Sequence, residues 1–321
     1  MDIDFSEAEA YATDWHEEHV AIFYTFQSLL RASGDDNSSS AVETRATAIA
    51  NVIREVAWQG SDHTPIDACW DNLMNMVEEI PLNHPWHAIF VRTIHILHGL
   101  VGEQVYSVPG YFPTATWDGL ASLQYHFWDF WDGRSMIYLA AGPGPEKDVK
   151  VLQWKRWISM FAQMPAFIAL PYYIMRAIQP LESPIDADPV DAACTLWTAC
   201  EWFIHRAYQA LECLRAHAID KDEYLGMGEL YRRDVGDPCS LERWDWWKHR
   251  LQELAVNVDV DAETKQHVVM ALASMAAAEA RPSKVEGLDR EEKRKEKEKE
   301  EKEKERKEKE EKREEEGKEE K

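Results

Sequence analysis

The sequence predicts an all-α protein: an irregular bundle of about eight to ten helices followed by a charged C-terminal tail that is helical or disordered. Capping residues recur ahead of apolar residues spaced three and four apart, whereas strand-like alternation hardly occurs. Tryptophan is abundant, with 14 among 321 residues. Every residue of 289–321 except Gly317 is charged. We therefore divide the chain into a helical body (1–280), a linker (281–288) and a low-complexity tail (289–321).

Four helix starts are predicted in the first hundred residues. Ser6 and Ser40 each open a Ser-x-x-Glu capping box, in which the two side chains bond amides that the helix leaves unpaired. Thr64 and His84 each precede a proline, which suits the first helical position because its missing N–H would have no partner there. The polar cluster 33–37 should separate the first helix from the second.

The middle of the chain contains a long uncharged segment that could be a membrane-spanning helix. A Gly/Pro-rich loop is predicted over 102–115, followed by an aromatic helix over 117–131. Residues 157–175 are uncharged and nearly long enough to span a bilayer. Pro165 and Pro171 would break the backbone hydrogen bonding in lipid, so we expect buried helices interrupted at a proline. Membrane association through this stretch is the weaker alternative.

Asp188-Pro189 opens the clearest helix, which is followed by a predicted loop over 219–239. Its core stripe places large residues seven apart and mostly small residues three positions after them, which lets a neighbouring helix approach closely. Ser240 and Asp261 are predicted to cap the last two helices of the body. The stripe consists of Val190, Trp197, Ile204, Leu211 and Ala218, with Ala193, Cys200, Ala207 and Leu214 three positions later.

The negative charge of the chain limits the classes of partner that it is expected to bind. The net charge is −23, and outside the tail 42 acidic residues face 21 basic ones. Phosphate backbones and anionic membranes bind through basic residues, so we expect no nucleic-acid partner and no membrane. The N-terminus carries no secretory pattern, and five scattered cysteines are typical of buried thiols in a reducing compartment. The expected location is the cytoplasm, with the nucleus left open.

Two groups of histidines are close enough in sequence to be candidate metal sites. His84, His87, His95 and His98 share one face of a predicted helix, but the two pairs lie about 12 Å apart at 1.5 Å per residue. Residues 16–19, His-Glu-Glu-His, lack the spacing that brings two histidines to one ion. Phosphate-binding glycine motifs are missing as well. We therefore expect no metal and no cofactor.

Glu201 and His205 are the best candidates for acid–base chemistry, because they lie four apart on the long helix. A partly buried carboxyl beside an imidazole can have the perturbed pKa that proton transfer requires, although an ordinary ion pair is the simpler interpretation. Trp202, Tyr208 and Trp246 are weaker candidates for binding an apolar ligand. The other tryptophans indicate filled space between helices.

Three segments near the end of the body resemble a known family. Glu-Trp-Phe-Ile-His-Arg-Ala at 201–207 is followed by Cys-Ser-Leu-Glu-Arg-Trp-Asp-Trp-Trp-Lys-His-Arg-Leu at 239–251, and an Asp-x-Glu-Thr helix starts at Asp261. Over residues 190–280 this order resembles the C-terminal part of an uncharacterised fungal family, domain of unknown function 3632. The resemblance implies an intracellular helical protein and supplies neither an activity nor site residues.

Two main functions remain open. The first expectation is a non-catalytic intracellular protein-interaction module with an unknown protein partner, because nucleophile, phosphate and metal motifs are missing and the chain is acidic and tryptophan-rich. The alternative is a helical enzyme or small-molecule binder around Glu201 and His205. This alternative requires the pair to line a concave pocket with other polar groups, whereas an interaction module requires a closed ion pair and a large exposed aromatic patch.

Overall fold

The fold is described from a computed structural model for residues 3–14, 17–32, 38–59, 64–100, 104–105, 115–116, 120–140, 144–164, 171–185, 188–216, 227–234 and 240–283. The helices are α1 (Ser6–Thr13), α2 (Glu17–Arg31), α3 (Ser39–Gln59), α4 (Thr64–Glu79), α5 (Trp86–His98), α6 (Ala121–Ala140), α7 (Pro145–Gln163), α8 (Pro171–Ile178), α9 (Pro189–Arg215), α10 (Glu229–Asp234), α11 (Leu241–Asn257) and α12 (Ala262–Glu279). A 3-10 turn, η1 (Gln179–Glu182), follows α8, and β1 (Gln104–Val105) pairs antiparallel with β2 (Ala115–Thr116).

The all-α prediction is confirmed. The described part contains twelve α-helices rather than eight to ten, and its only strands are the two-residue β1 and β2. One reason for the higher number is that the predicted first helix is divided into α1 and α2. Another is the short α10, which lies inside the predicted loop 219–239.

Two predicted N-caps, Ser240 and Asp261, are confirmed, as is the predicted helix start at Asp188-Pro189. The side chains of Asp188, Ser240 and Asp261 accept hydrogen bonds from the backbone amides two or three positions later, at 2.9, 3.3 and 2.7 Å. Each residue has extended backbone angles, as a cap requires. These caps fix where α9, α11 and α12 begin, and so fix which side chains α9 and α12 present to each other.

The two predicted capping boxes are wrong. At α1 the chain enters the helix earlier than expected, so Ser6 already lies in the first turn and its own amide bonds to the Asp4 carboxylate at 3.0 Å. At α3 the hydroxyl of Ser38, not that of Ser40, accepts from the Ala41 amide at 3.3 Å. Because 38–40 are consecutive serines, the local pattern cannot distinguish which of them caps the helix.

Helix α9 lies at the centre of the bundle. It packs along α12 more extensively than any other pair of described helices and also contacts α7, α8 and α11. The predicted core stripe is largely confirmed: Trp197 and Leu211 are buried, Val190 and Ile204 are half-buried, and Ala218 lies outside the described residues. The small residues of the stripe are buried as well, which allows the close approach of α12.

The uncharged stretch 157–175 is interrupted as predicted. Helix α7 ends at Gln163, ahead of Pro165, and α8 begins at Pro171. Trp157 and Phe161 of this stretch are completely buried in the core. No described helix is long and apolar enough to cross a membrane. The membrane alternative therefore has no spanning helix in the described part of the chain.

The tryptophans mostly fill the space between helices, as expected. Trp131, Trp157, Phe161 and Trp202 form an aromatic cluster between α6, α7 and α9, with neighbouring ring centroids 4.9 to 6.3 Å apart. Edge-to-face and tilted contacts of this kind add to the apolar burial of each ring. The division into body, linker and tail stays a prediction, because residues 284–321 lie outside the described part.

Candidate functional site

Four helical segments enclose a pocket of about 380 Å³ around Glu201. Its walls come from the turn before α5 with the start of that helix, the end of α7, the middle of α9 and the first half of α12. The volume lies within the range typical of small-molecule sites. We call it the imidazole pocket; it is lined by the polar residues Asn83, His84, His87, Ser159, Gln163, Glu201, His205 and His267 and the apolar residues Pro85, Ala88, Ile204 and Met270.

A tight turn between α4 and α5 positions two of the histidines. Asn83 has a φ of 61°, a left-handed conformation that asparagine adopts more easily than most residues. The chain then reverses into α5, and the His84 Nδ1 accepts a hydrogen bond from the Trp86 amide at 3.3 Å. This contact orients the His84 ring beside the first turn of α5, where His87 follows.

Glu201 is buried and bridges two imidazoles. Its Oε1 lies 3.2 Å from His267 Nε2, and its Oε2 lies 3.3 Å from His205 Nε2. Burial alone would raise the pKa of Glu201, but the hydrogen bonds and charges of His205 and His267 outweigh it and lower the pKa to about 2. The carboxylate is therefore ionised at neutral pH, with both oxygens engaged.

The His267 ring is held from several sides. Its Nδ1 lies 3.2 Å from the carbonyl oxygen of Glu263, one turn earlier on α12. The ring packs on Trp197, with centroids 3.5 Å apart, and the Lys155 ammonium lies 4.4 Å from the centre of the same indole. A ring fixed in this way presents its Nε2 to Glu201 in one orientation, as acid–base and binding sites require.

His87 differs from the other imidazoles of the pocket. It is only 2% exposed, and neither ring nitrogen makes a hydrogen bond of normal geometry to any described group. Burial lowers the pKa of His87 to about 4, against the opposing effects of the Ile80 carbonyl and Glu201. The ring is therefore neutral at physiological pH and offers one donor and one acceptor. Both nitrogens are closed off from the pocket, so a ligand cannot bond them unless the ring moves.

A second buried glutamate, Glu182 on η1, is completely enclosed. It accepts from Arg243 Nε and Nη2 at 2.6 and 2.9 Å, from Trp247 Nε1 at 2.7 Å and from the Gly228 amide at 2.8 Å. A Cβ at position 228 would lie 2.5 Å from the Glu182 carbonyl oxygen, so the close approach requires glycine. We call these four residues the Glu182 cluster; it joins η1 and α11 to the segment before α10.

The comparison with protein families gives one result. The family described as "Protein of unknown function (DUF3632)" matches residues 70–251, more than half of the chain. The chain belongs to this family. The DUF3632 match confirms the resemblance seen in the sequence, although it begins well before residue 190 and ends within α11. No curated protein matches the chain, and no solved structure matches it.

The DUF3632 segment contains most of the pocket but not all of it. Four lining residues with imidazole or carboxylate groups lie within the match: His84 in the turn before α5, His87 on α5, and Glu201 and His205 on α9. All members of the Glu182 cluster lie within it as well. His267 lies beyond the match, on α12. In the described part of the chain, no three or more His, Cys, Asp or Glu side chains are placed to hold a metal ion. His95 and His98 do not line the pocket.

The predicted site residues are divided by the structure. Glu201 and His205 line the pocket, and His267, a second partner of Glu201, lines it as well. The three candidate ligand-binding side chains do not line it: Trp202 belongs to the buried aromatic cluster, Tyr208 lies further along α9, and Trp246 is half-buried on α11.

Local sequence patterns do not place three of the four pocket histidines, His84, His87 and His267, beside Glu201. The spacing of His84 and His87 indicates only a possible metal pair on one face of a predicted helix. His267 has no local pattern that marks it, because its closeness to Glu201 depends on how α12 packs along α9. The only hint was the position of Glu201 beside the core stripe, which placed its carboxyl where a neighbouring helix would cover it.

Proposed function

We propose that this DUF3632 protein binds a small molecule in the imidazole pocket. The observation that carries the proposal is the convergence of His84, His205, His267 and Glu201 on one open cavity of about 380 Å³. Concave sites with a few convergent polar groups are where proteins usually bind small molecules. Glu201 and His205 thus line a concave pocket together with other polar groups, as a small-molecule binder or an enzyme requires.

The pocket also suits proton transfer on the bound molecule. Glu201 holds His205 by one ring nitrogen, and the His205 side chain is 32% exposed, so the ring can meet a ligand. A carboxylate that orients an imidazole is a common arrangement for general acid–base catalysis. Catalysis is therefore an extension of the proposed binding function, with Glu201 positioning the ring and His205 exchanging the proton.

A protein-interaction role has weaker support. Tyr24 is the only aromatic residue among the large hydrophobic residues that are exposed in the described part, and the described tryptophan side chains are buried or half-buried. An interaction module of the expected kind would present a large exposed aromatic patch. Its remaining support is the acidity of the chain, which favours a basic protein partner.

A ligand screen with a blocked pocket tests the proposal. Ala88 is exposed and lines the pocket, so Ala88→Phe should fill it without disturbing the core. Ala273 is exposed on α12 and does not line the pocket, so Ala273→Phe is the matched control. We expect that molecules from a metabolite library raise the melting temperature of the full-length protein and of Ala273→Phe, but not that of Ala88→Phe.

Two results would count against small-molecule binding. One is a screen in which no molecule shifts the melting temperature, or in which every shift persists in Ala88→Phe. The other is purification from the native cell that recovers one stoichiometric protein and no co-purifying small molecule by native mass spectrometry. The second result would favour the interaction module.

A further inference from the structure

The His267 ring faces a hydrogen-bond acceptor at each of its nitrogens. Its Nδ1 lies 3.2 Å from the carbonyl oxygen of Glu263, and its Nε2 lies 3.2 Å from Glu201 Oε1. A neutral imidazole carries one N–H proton, so one of its nitrogens would direct a lone pair at an oxygen. Both contacts are hydrogen bonds only if both nitrogens carry protons. The geometry therefore favours the charged imidazolium form of His267.

The charges around His267 have opposite effects on this form. The ionised Glu201 carboxylate is in direct contact with the ring and stabilises the imidazolium. The Lys155 ammonium of α7 opposes a second positive charge, but it lies over the indole of Trp197, on which the His267 ring also packs. An aromatic face attracts both cations. The other titratable side chains that line the cavity are those of His84, His87 and His205.

His205 contacts the other oxygen of the same carboxylate but is held less tightly. Its Nε2 lies 3.3 Å from Glu201 Oε2, and its Nδ1 has no hydrogen-bond partner in the described part of the chain. A neutral His205 can therefore donate from Nε2 to Glu201 and keep a lone pair on Nδ1. The His205 side chain is 32% exposed, against 13% for His267. Of the two imidazoles, His205 is the one that can exchange a proton with a ligand.

Glu201 couples the two rings electrostatically, because each ring contacts one of its oxygens. A carboxylate beside a single imidazole favours the charged form of that imidazole. A fixed positive charge on His267 offsets much of this attraction, so His205 can stay neutral while Glu201 stays ionised. A general base has to be unprotonated at the working pH, and His267 supplies the compensating charge that this requires.

We infer that His267 is the positioning residue of the imidazole pocket: as an imidazolium bonded to Glu263 and Glu201, it fixes the carboxylate that orients His205 and leaves His205 neutral as the proton acceptor. A proton of the bound molecule then passes to His205 Nδ1, and the molecule remains as its conjugate base. The inference rests on the proposed function and assigns roles within the same pocket. It also makes α12, which lies beyond the family match, part of the site.

Diethyl pyrocarbonate tests this assignment without a ligand, because it reacts only with an unprotonated imidazole nitrogen. The nitrogen attacks a carbonyl carbon of the reagent, the ring becomes carbethoxylated, and ethanol and carbon dioxide are released. Peptide mapping by mass spectrometry gives the rate at each histidine of the full-length protein between about pH 5 and pH 9. The exposed His249 of α11 is the internal reference, and its profile should be the same in every variant.

Two substitutions of His267 separate charge from packing. His267→Gln keeps an amide donor for Glu201 but removes the charge, so the full attraction of Glu201 acts on His205. We expect the midpoint of the His205 profile to rise by about half a pH unit or more. His267→Lys also loses the ring that packs on Trp197 but retains a positive charge, so its midpoint should lie close to that of the original protein.

Glu201→Gln keeps the test decisive if His267→Gln does not fold. Without the carboxylate, the midpoint of His205 should fall, and His267 should react faster than in the original protein. An unshifted midpoint in His267→Gln, an equal shift in His267→Lys, or a His205 midpoint that does not fall in Glu201→Gln would overturn the inference. These results leave the proposed function standing if a library molecule is still blocked by Ala88→Phe. The expected shifts without any blocked molecule would instead overturn the proposed function.

Discussion

The Glu182 cluster and the imidazole pocket are both built on a buried glutamate between helices, yet they differ in completeness. Glu182 receives four hydrogen bonds from a guanidinium, an indole and a backbone amide, and all of these groups are enclosed. Glu201 contacts two imidazoles that also line a cavity, and one of them, His205, is partly exposed there. A complete cluster holds helices together, whereas an incomplete one beside a cavity is arranged to meet something else.

The partners of the two glutamates reinforce this difference. A guanidinium offers two parallel donors in a rigid fork, so the Glu182–Arg243 pair is held in one hydrogen-bonding geometry. Imidazoles change charge near neutral pH and can donate or accept. The pocket around Glu201 can therefore adapt its hydrogen bonds to a ligand, while the Glu182 cluster cannot.

The largest effect should come from breaking the Glu182 cluster. Glu182→Leu leaves the Arg243 charge buried without its partner, so we expect a loss of about 3–5 kcal/mol in the free energy of unfolding, measured with urea. The double variant Glu182→Leu/Arg243→Met replaces the whole pair with apolar groups and should be more stable than the single variant. A single variant as stable as the original protein would mean that the cluster is not a structural lock.

The second-largest loss of stability is expected at low pH, where the Glu201 carboxylate becomes protonated. The folded-state pKa of Glu201, about 2, lies below its ordinary value of 4.5, so the ionised carboxylate stabilises the fold above pH 4.5 and this contribution is lost as the pH falls towards 2. The shift corresponds to about 3 kcal/mol. Urea unfolding between pH 5 and pH 2 should therefore show a steeper loss in the original protein than in Glu201→Gln; parallel profiles would contradict the ion-pair geometry.

A smaller effect should follow from Gly228→Ala in the Glu182 cluster. The added Cβ would meet the backbone and Cβ of Glu182 at 2.5–2.6 Å, which forces the segment to shift and should cost about 1–3 kcal/mol. Gly133 is the control: it lies inside α6 with no neighbour within 4 Å of an added Cβ, so Gly133→Ala should stabilise by about 0.5–1 kcal/mol. Thermal melts of both variants would show shifts of opposite sign.

The parts of this fold that local sequence determines were predictable. Asp188, Ser240 and Asp261 act on amides two or three residues away, so their capping roles were visible in the sequence. The core stripe of α9 was visible for the same reason, because it depends only on helical periodicity. The failure at Ser6 and Ser40 has a local cause too: both helices begin earlier than expected, and Asp4 and Ser38 bond amides that lie ahead of those the capping boxes would use.

The candidate site was only half visible, because its contacts join distant parts of the chain. Glu201 and His205 share one helix face and could be paired from spacing, but His267 is 66 residues from Glu201. Arg243 was recognised within a family-like motif, yet Glu182, its partner, lies 61 residues earlier. No periodic pattern reports such a distance, so helix packing alone decides which histidines meet and which glutamate is locked.

The smallest change in the free energy of unfolding is expected for His87→Leu, and it should be neutral or stabilising. It therefore tests directly whether the buried groups near Glu201 differ from those around Glu182. His87→Leu removes a buried ring whose nitrogens lack partners, so we expect the unliganded protein to be unchanged or stabilised by up to about 1 kcal/mol. Thr93, completely buried on the same helix, is hydrogen-bonded to the Ile89 carbonyl at 2.9 Å, so Thr93→Val should destabilise by about 1 kcal/mol. Urea unfolding without added ligand measures both. If His87→Leu were the more destabilising of the two, the ring would be a structural group like those around Glu182, held through its contact with the Ile80 carbonyl.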